Sequence, residues 1–233
     1  MQIVLVNSLE AGIEKAKEIL YEKVNTKTAL FLSGGKTPKP LYERMANEKI
    51  IKPAAAAIVD ERFGNPMHQN SNELMISHTG LFDYFSKNKI PFFSPLQKNI
   101  SCEDAAKKYD EKVREIFFHF PHSIGITGIG TDGHTAGIAP NREDFKNPIF
   151  SESQKNLFVS CFNDANGYFK ERITLTFAGL SLLDFIIVLV FGEEKQEALQ
   201  KVFTKGSLEE LPARIYNTRQ FSDKTLFITD QKI

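Results

Sequence analysis

The chain has no tryptophan and only two cysteines, Cys102 and Cys161, in 233 residues. Two cysteines are too few for a disulfide framework, and the pair reads as buried or idle thiols. Neither sign of charge is in excess, because 29 Lys and Arg balance 29 Asp and Glu. That balance argues against a broadly basic nucleic-acid binder. A long hydrophobic run is also missing. The longest, near Leu180–Phe191, is interrupted by Ser181 and Asp184 and falls short of the ~18 apolar residues that suggest a membrane span. The first residues, MQIVLVNSLEAGIEKAKEIL, carry no basic leader and no A-x-A-like cleavage site. The expectation is a soluble cytoplasmic protein with neither a membrane nor a nucleic acid as partner. The five histidines form no HExxH pair and no Cys/His zinc spacing, so no required metal is expected. No G-x-S-x-G elbow is present to support covalent serine catalysis.

What is present fits a globular α/β chain. Hydrophobic residues make up 42%, with 20 Phe among them, and the length suffices to bury a substantial core without staples. Apolar runs suggest strands at Ile3–Val6, Ala29–Leu32, Ala54–Val59, Ile90–Phe93, Ser123–Thr127, Leu157–Cys161, Ile173–Phe177, Phe185–Phe191 and Thr225–Thr229. Amphipathic stretches suggest helices at Leu9–Lys23, Pro40–Ala46, Asn72–Phe85, Ser101–Phe118 and Glu193–Phe203, with Ser8 capping the first. This alternation predicts βαβ units and a mainly parallel sheet with helices on both faces. One domain over residues 1–233 is the simplest organisation. The polar stretch Asn141–Asn156 reads as a surface excursion.

Three segments place chemistry just beyond an expected strand, where open α/β sheets bind ligands. In Ser33-Gly34-Gly35-Lys36-Thr37-Pro38, two glycines allow close backbone approach, and hydroxyls and a following helix suit a phosphate. It is not a P-loop, because Leu30 stands where that motif needs its first glycine. The alternative is a tight turn with no ligand. Asp60-Glu61-Arg62-Phe63 could hold a polyol or an anion, and Arg62 offers a planar fork for phosphate. Taken alone, it reads better as a surface salt bridge. Gly128-Ile129-Gly130-Thr131-Asp132-Gly133-His134 matches G-x-G-x-x-G, yet Gly137 and Pro140 follow and would make a poor dinucleotide-site helix. Its more telling feature is an Asp two residues before a His in a glycine-rich loop. His134 could act as a general base near neutral pH, and Asp132 could orient it or bind substrate. Arg172 and Lys195, at the start of a strand and of a helix, could meet a phosphate or a developing oxyanion. Taken alone, each reads better as an ordinary solvated charge.

Taken together, these segments resemble the 6-phosphogluconolactonase family, in the superfamily shared with glucosamine-6-phosphate isomerase/deaminase. LSGGKTPKPLYERM is similar to that family's phosphate loop and helix. DERFGNPMHQNSN resembles its D-E-R segment with downstream His and Ser-Asn, and GIGTDGHTAGIAP its G-x-G-x-D-G-H-T-A segment. RITLTFAGL, FGEEKQEAL and LPARI follow in the family's order. The resemblance implies a single Rossmann-like, three-layer α/β/α domain that hydrolyses 6-phosphoglucono-1,5-lactone in the pentose phosphate pathway. It implies His134 as the base that activates water. Gly34, Gly35, Thr37, Arg62, Arg172 and Lys195 would contact phosphate, sugar or developing charge. Asp60 and Asp132 would support sugar hydroxyls or the His. It implies a sugar phosphate as the small-molecule partner, with no metal and no organic cofactor, and leaves the oligomeric state open.

The sister deaminases carry a Glu five residues after the His, where this chain has Ala139. They also resemble D-E-Y and H-I-A where this chain reads D-E-R and H-T-A. These differences favour the lactonase. A non-catalytic sugar-phosphate sensor, keeping Gly34, Gly35 and Arg62 but leaving His134 idle, ranks third. The chain departs from the lactonase pattern at Gly64-Asn65, at Gly137-Ile138-Ala139 and in GYFKE before Arg172, which implies a reshaped site rim.

Overall fold

A computed structural model of the protein describes residues 2–49, 51–141, 157–163 and 169–233. Its strands in chain order are β1 (Gln2–Leu5), β2 (Thr28–Leu32), β3 (Ala55–Ile58), β4 (Asp60–Arg62), β5 (Phe92–Phe93), β6 (His122–Gly128), β7 (Val159–Asn163), β8 (Glu171–Leu175), β9 (Phe185–Val190) and β10 (Thr225–Thr229). Its α-helices are α1 (Leu9–Lys23), α2 (Lys39–Glu48), α3 (Asn72–Ser77), α4 (Leu81–Lys87), α5 (Cys102–His119), α6 (Phe177–Ser181), α7 (Gln196–Val202) and α8 (Arg219–Ser222).

Seven strands form one sheet in the order β1-β10-β9-β6-β2-β3-β5, and every pairing in it is parallel. Parallel strands need crossovers, and both faces of such a sheet are normally covered. Strand β2 illustrates this, since all five of its residues are buried. Its Ala29 and Phe31 join an apolar cluster with Tyr109 and Val113 of α5. Its Leu30 and Leu32 join a second cluster with Ile13 of α1 and Leu41 and Met45 of α2. The core therefore lies on both sides of the sheet, in agreement with the α/β reading.

Local signals place the main helices. The Ser8 hydroxyl accepts the Ala11 N–H at 3.2 Å to cap α1, whose Ile13, Ala16, Ile19 and Leu20 recur at helical spacing and are buried. Ser101 caps α5 in the same way, accepting from the Asp104 N–H at 3.1 Å.

Four expectations need correction. The stretch Asn72–Phe85 is two helices, α3 and α4, separated at Gly80, whose φ of 84° breaks the helical path. The helix expected at Glu193–Phe203 starts as a 3-10 turn over Glu193–Lys195 before α7. A second sheet, β4-β8-β7, is antiparallel throughout, so Asp60–Arg62 is a strand and not a loop. Cys102 and Cys161 are joined by a disulfide, which ties the first turn of α5 to β7. The expected excursion at Asn141–Asn156 lies outside the described residues beyond Asn141. Among the described residues, no helix is long and apolar enough to cross a membrane.

One buried hydroxyl completes the sheet where β5 runs out. The register of β5 reaches only Ala57 of β3. At the next residue, the Tyr109 hydroxyl accepts the Ile58 N–H and donates to the Ile58 carbonyl, both at 2.7 Å. Tyr109→Phe should strand both backbone groups and destabilise the fold by about 1–3 kcal/mol. Urea denaturation measures this, and an unchanged midpoint would refute the role given to the hydroxyl.

Candidate active site

Strands β3, β2, β6 and β9 lie side by side and point the same way. Their carboxyl ends therefore open on one edge of the sheet, the usual ligand side. A cavity of about 340 Å³ lies there. Eight residues singled out in the sequence line it: Gly34, Gly35, Thr37, Asp60, Arg62, His134, Arg172 and Lys195. Asp132 does not line this cavity and lies beside a neighbouring cleft with Glu197, Lys201 and Arg214. Two lining residues, Asn72 and Glu194, were not singled out as site residues. Both lie inside segments that carry the family resemblance, DERFGNPMHQNSN and FGEEKQEAL, so a signal for them was present in the sequence.

The loop after β6 builds the His–Asp pair. Asp132 Oδ1 lies 2.6 Å from His134 Nδ1 and accepts the His134 backbone N–H at 3.0 Å. Partial burial pushes the Asp132 carboxyl up, but hydrogen bonds and charge attraction from His134 outweigh it and hold the carboxyl down at about 2. An ionised Asp132 can only accept, so the proton of a neutral imidazole belongs on Nδ1. Nε2 is then left with a free lone pair. Gly130 makes room for the ring, because a Cβ there would come within 2.0 Å of His134 Nδ1. Beyond Gly133, the chain folds back in a Thr135–Ile138 bridge. The helix that a dinucleotide fingerprint requires does not follow.

The antiparallel sheet supplies two guanidinium groups. Its register sets Arg62 directly opposite Arg172 and Asp60 opposite Thr174. Like charges paired across a ladder repel each other, so this is an electropositive wall suited to an anion. Burial raises the Asp60 carboxyl, while Arg62, Arg172 and His134 pull it in the other direction. Arg62 is braced as well as charged. Its Nη1 donates to the Asn70 carbonyl at 2.8 Å, and its carbonyl lies 2.9 Å from His68 Nε2. Its guanidinium carbon sits 5.2 Å from the centre of the Phe169 ring. Arg62 Nε is buried without a hydrogen-bond partner among the described residues.

The glycine loop after β2 offers backbone donors. Gly35 adopts a φ of 105°, and the Tyr42 hydroxyl pins the Ser33 carbonyl at 2.8 Å. Pro38 stands at the N-cap of α2 and makes no side-chain capping bond. The first N–H groups of α2 thus lack a side-chain acceptor, a setting that favours an anion.

The LPARIY segment braces the His134 loop from behind. The Ala213 N–H donates to the Gly133 carbonyl at 3.0 Å. The fully buried Tyr216 hydroxyl lies 2.6 Å from Thr135 Oγ1 and donates to Thr127 Oγ1 at 2.9 Å. Thr135 Oγ1 in turn donates to the Gly128 carbonyl at 3.0 Å. Tyr216→Phe should leave these hydroxyls short of a partner and lower stability by about 1–3 kcal/mol. Thermal and urea unfolding measure the change, and wild-type stability would show that the network contributes nothing.

The chain is similar in sequence and in fold to known proteins. Over 230 residues, the chain is 28% identical to a 6-phosphogluconolactonase of Thermotoga maritima, covering 94% of this chain and 95% of that one. It is 27% identical to a glucosamine-6-phosphate deaminase of Leuconostoc citreum, covering 99% and 97%. The fold is similar to the crystal structure of a 6-phosphogluconolactonase from Shewanella baltica, with a TM-score of 0.82, 17% identity, and coverage of 100% and 98%. The model of one family, described as glucosamine-6-phosphate isomerases/6-phosphogluconolactonase, matches residues 4–227, and the chain belongs to that family.

Proposed function

We propose that the chain hydrolyses 6-phosphoglucono-1,5-lactone to 6-phosphogluconate. In this reading it acts as a single domain over residues 1–233 in the pentose phosphate pathway of the cytoplasm. The observation that carries the reading is the His134–Asp132 pair beside a cavity walled by Arg62, Arg172 and Lys195. Asp132 holds the imidazole with Nδ1 protonated, and Nε2 takes a proton from water. The water oxygen bonds to the lactone carbonyl carbon, and the carbonyl electrons move onto its oxygen. Collapse of this tetrahedral intermediate breaks the bond to the ring oxygen, which takes the proton back from His134. The carboxylic acid so formed releases its proton to solvent, leaving a carboxylate and a free hydroxyl.

The remaining residues bind and neutralise. The Gly34-Gly35 backbone, the Thr37 hydroxyl and the α2 N-terminus suit the phosphate. Arg62, Arg172 and Lys195 serve the phosphate and the developing oxyanion. Asp60 accepts from sugar hydroxyls. No step calls on a metal or an organic cofactor.

Proton release from freshly generated lactone, with an enzyme-free control, tests the reaction. Wild type should accelerate it, and His134→Ala should lower kcat by roughly 10²–10⁴-fold. Gly130→Ala should displace the ring and lower kcat by at least about 100-fold, since it removes a positioned base. Wild-type ammonia release from glucosamine 6-phosphate without lactone turnover would replace this reading with the deaminase. Full activity in His134→Ala would remove the base.

The cytoplasmic reading has its own test. A reducing cytoplasm keeps cysteines as thiols, whereas Cys102 and Cys161 stand within bonding distance as a disulfide. If the protein works in that compartment, alkylation of freshly lysed cells captures both as free thiols in place of the cross-link seen in this structure. Recovery of the intact cross-link would move the protein to an oxidising compartment.

A further inference from the structure

The least exposed carboxylate beside the cavity wall takes no part in the chemistry above. Glu61 is 0% exposed, although its sequence position beside Asp60 and Arg62 reads as a surface salt bridge. Its carboxylate collects three backbone donors. Oε1 accepts the Arg62 and Asn72 N–H groups, each at 2.7 Å, and Oε2 accepts the Glu73 N–H at 2.8 Å. Two of those donors open α3, whose next N–H, from Leu74, goes to Ser71 Oγ at 3.0 Å. Burial pushes the Glu61 carboxyl up to about 8, against the pull of these three donors. The three donors pull toward the ionised form, because a protonated acid would still accept but would have to place its own O–H among N–H groups that offer it no acceptor.

Asn72 continues the connection. It is 1% exposed, and its Nδ2 donates to the Asp60 carbonyl at 2.6 Å. Its Oδ1 has no hydrogen-bond partner among the described residues. That oxygen lies against Gly34, where a Cβ would come within 1.8 Å of it. A side chain at residue 34 would therefore force Asn72 away, and the two segments approach this closely only because residue 34 is glycine. Three parts of the cavity wall, Gly34, Asp60 and Arg62, thus meet on one buried pair.

We infer that Glu61 and Asn72 are positioning residues that set the spacing between the Gly34 loop and the Asp60–Arg62 strand, and through it the affinity for a sugar phosphate. Neither residue moves a proton in the reaction, and His134 sits on a different loop. Their loss should weaken binding much more than it slows the chemical step. The kinetic half of this inference rests on the lactonase reading.

The test compares Glu61→Gln, Asn72→Ala and Ser71→Ala with wild type. Binding of 6-phosphogluconate is measured by calorimetry, lactone turnover by proton release, and folding by thermal melting. Glu61→Gln turns an accepting oxygen into an amide that faces backbone N–H groups. Asn72→Ala removes the brace against Gly34 and keeps the Glu61 carboxylate. Both should raise Kd and KM by about tenfold or more, with kcat within about threefold of wild type, a split that marks lost ground-state binding. Ser71→Ala removes the other cap of α3 and should lower the melting temperature with Kd unchanged. Should Glu61→Gln fail to fold, Asn72→Ala carries the comparison alone.

Wild-type Kd in a folded Asn72→Ala or Glu61→Gln protein would overturn the inference. So would a Ser71→Ala protein that binds as weakly as the other two, because α3 stability alone would then explain the effect. A wild type that binds 6-phosphogluconate without turning over the lactone would overturn the functional reading, while the Kd comparison still decides the positioning role. A wild type that does not bind it would overturn both.

Discussion

Parallel pairing of four neighbouring strands is the constraint on which the site depends. Strands β3, β2, β6 and β9 share one direction, so the loops leaving them emerge on one edge of the sheet. The segments around Gly34, Asp60, His134 and Lys195 are distant in sequence, yet they converge because the strands cannot deliver them elsewhere. Burial of both sheet faces fixes the strands in turn. A one-residue slip of β2 would exchange Phe31 for Leu30 and Leu32 between the two apolar clusters and disrupt both at once. The same packing that stabilises the fold therefore holds the cavity walls in register.

Electrostatics gives the cavity its character. The protein as a whole carries no net charge, but Arg62, Arg172 and Lys195 gather at one end of the sheet. Placing Arg62 opposite Arg172 on adjacent strands sets like charges against each other, with the Asp60 carboxyl close enough for both to act on it. Like charges gathered beside a cavity are an arrangement expected at a functional site. The short antiparallel sheet is what creates it, through register and not through any feature of the Arg residues themselves.

Sequence made much of this legible, and the exceptions share a cause. Strand β10 falls on Thr225–Thr229 as expected, and α1 starts at its Ser8 cap. Both are encoded by local periodicity and capping chemistry. Strands β7 and β8 were legible as apolar runs, but β4 and the antiparallel pairing were not, because β4 has only three residues and all of them are charged. Its pairing with β8 is decided by tertiary approach. Glu61 misled for the same reason, since a carboxylate between two charged neighbours carries no local sign of burial. Asp132 was identified as a partner for His134, but only the structure separates it from the cavity wall. The cysteines, 59 residues apart, gave no sign in their spacing of lying opposite each other.

The glycines of the strand-end loops are best understood by what they allow other residues to do. Gly130 lets the His134 imidazole lie across the backbone at the distance that Asp132 requires, and Gly34 lets Asn72 press against the loop after β2. In each case a missing Cβ brings a polar side chain closer than any larger residue would permit. A glycine motif in such a fold therefore does more than cradle a phosphate with N–H groups. At Gly130, the absence of a side chain fixes the position of the His134 imidazole. At Gly34, it fixes the distance between two walls. The G-x-G-x-x-G match around Gly130 is accordingly better explained by imidazole placement than by a dinucleotide, because the chain beyond Gly133 turns back on itself instead of entering a helix.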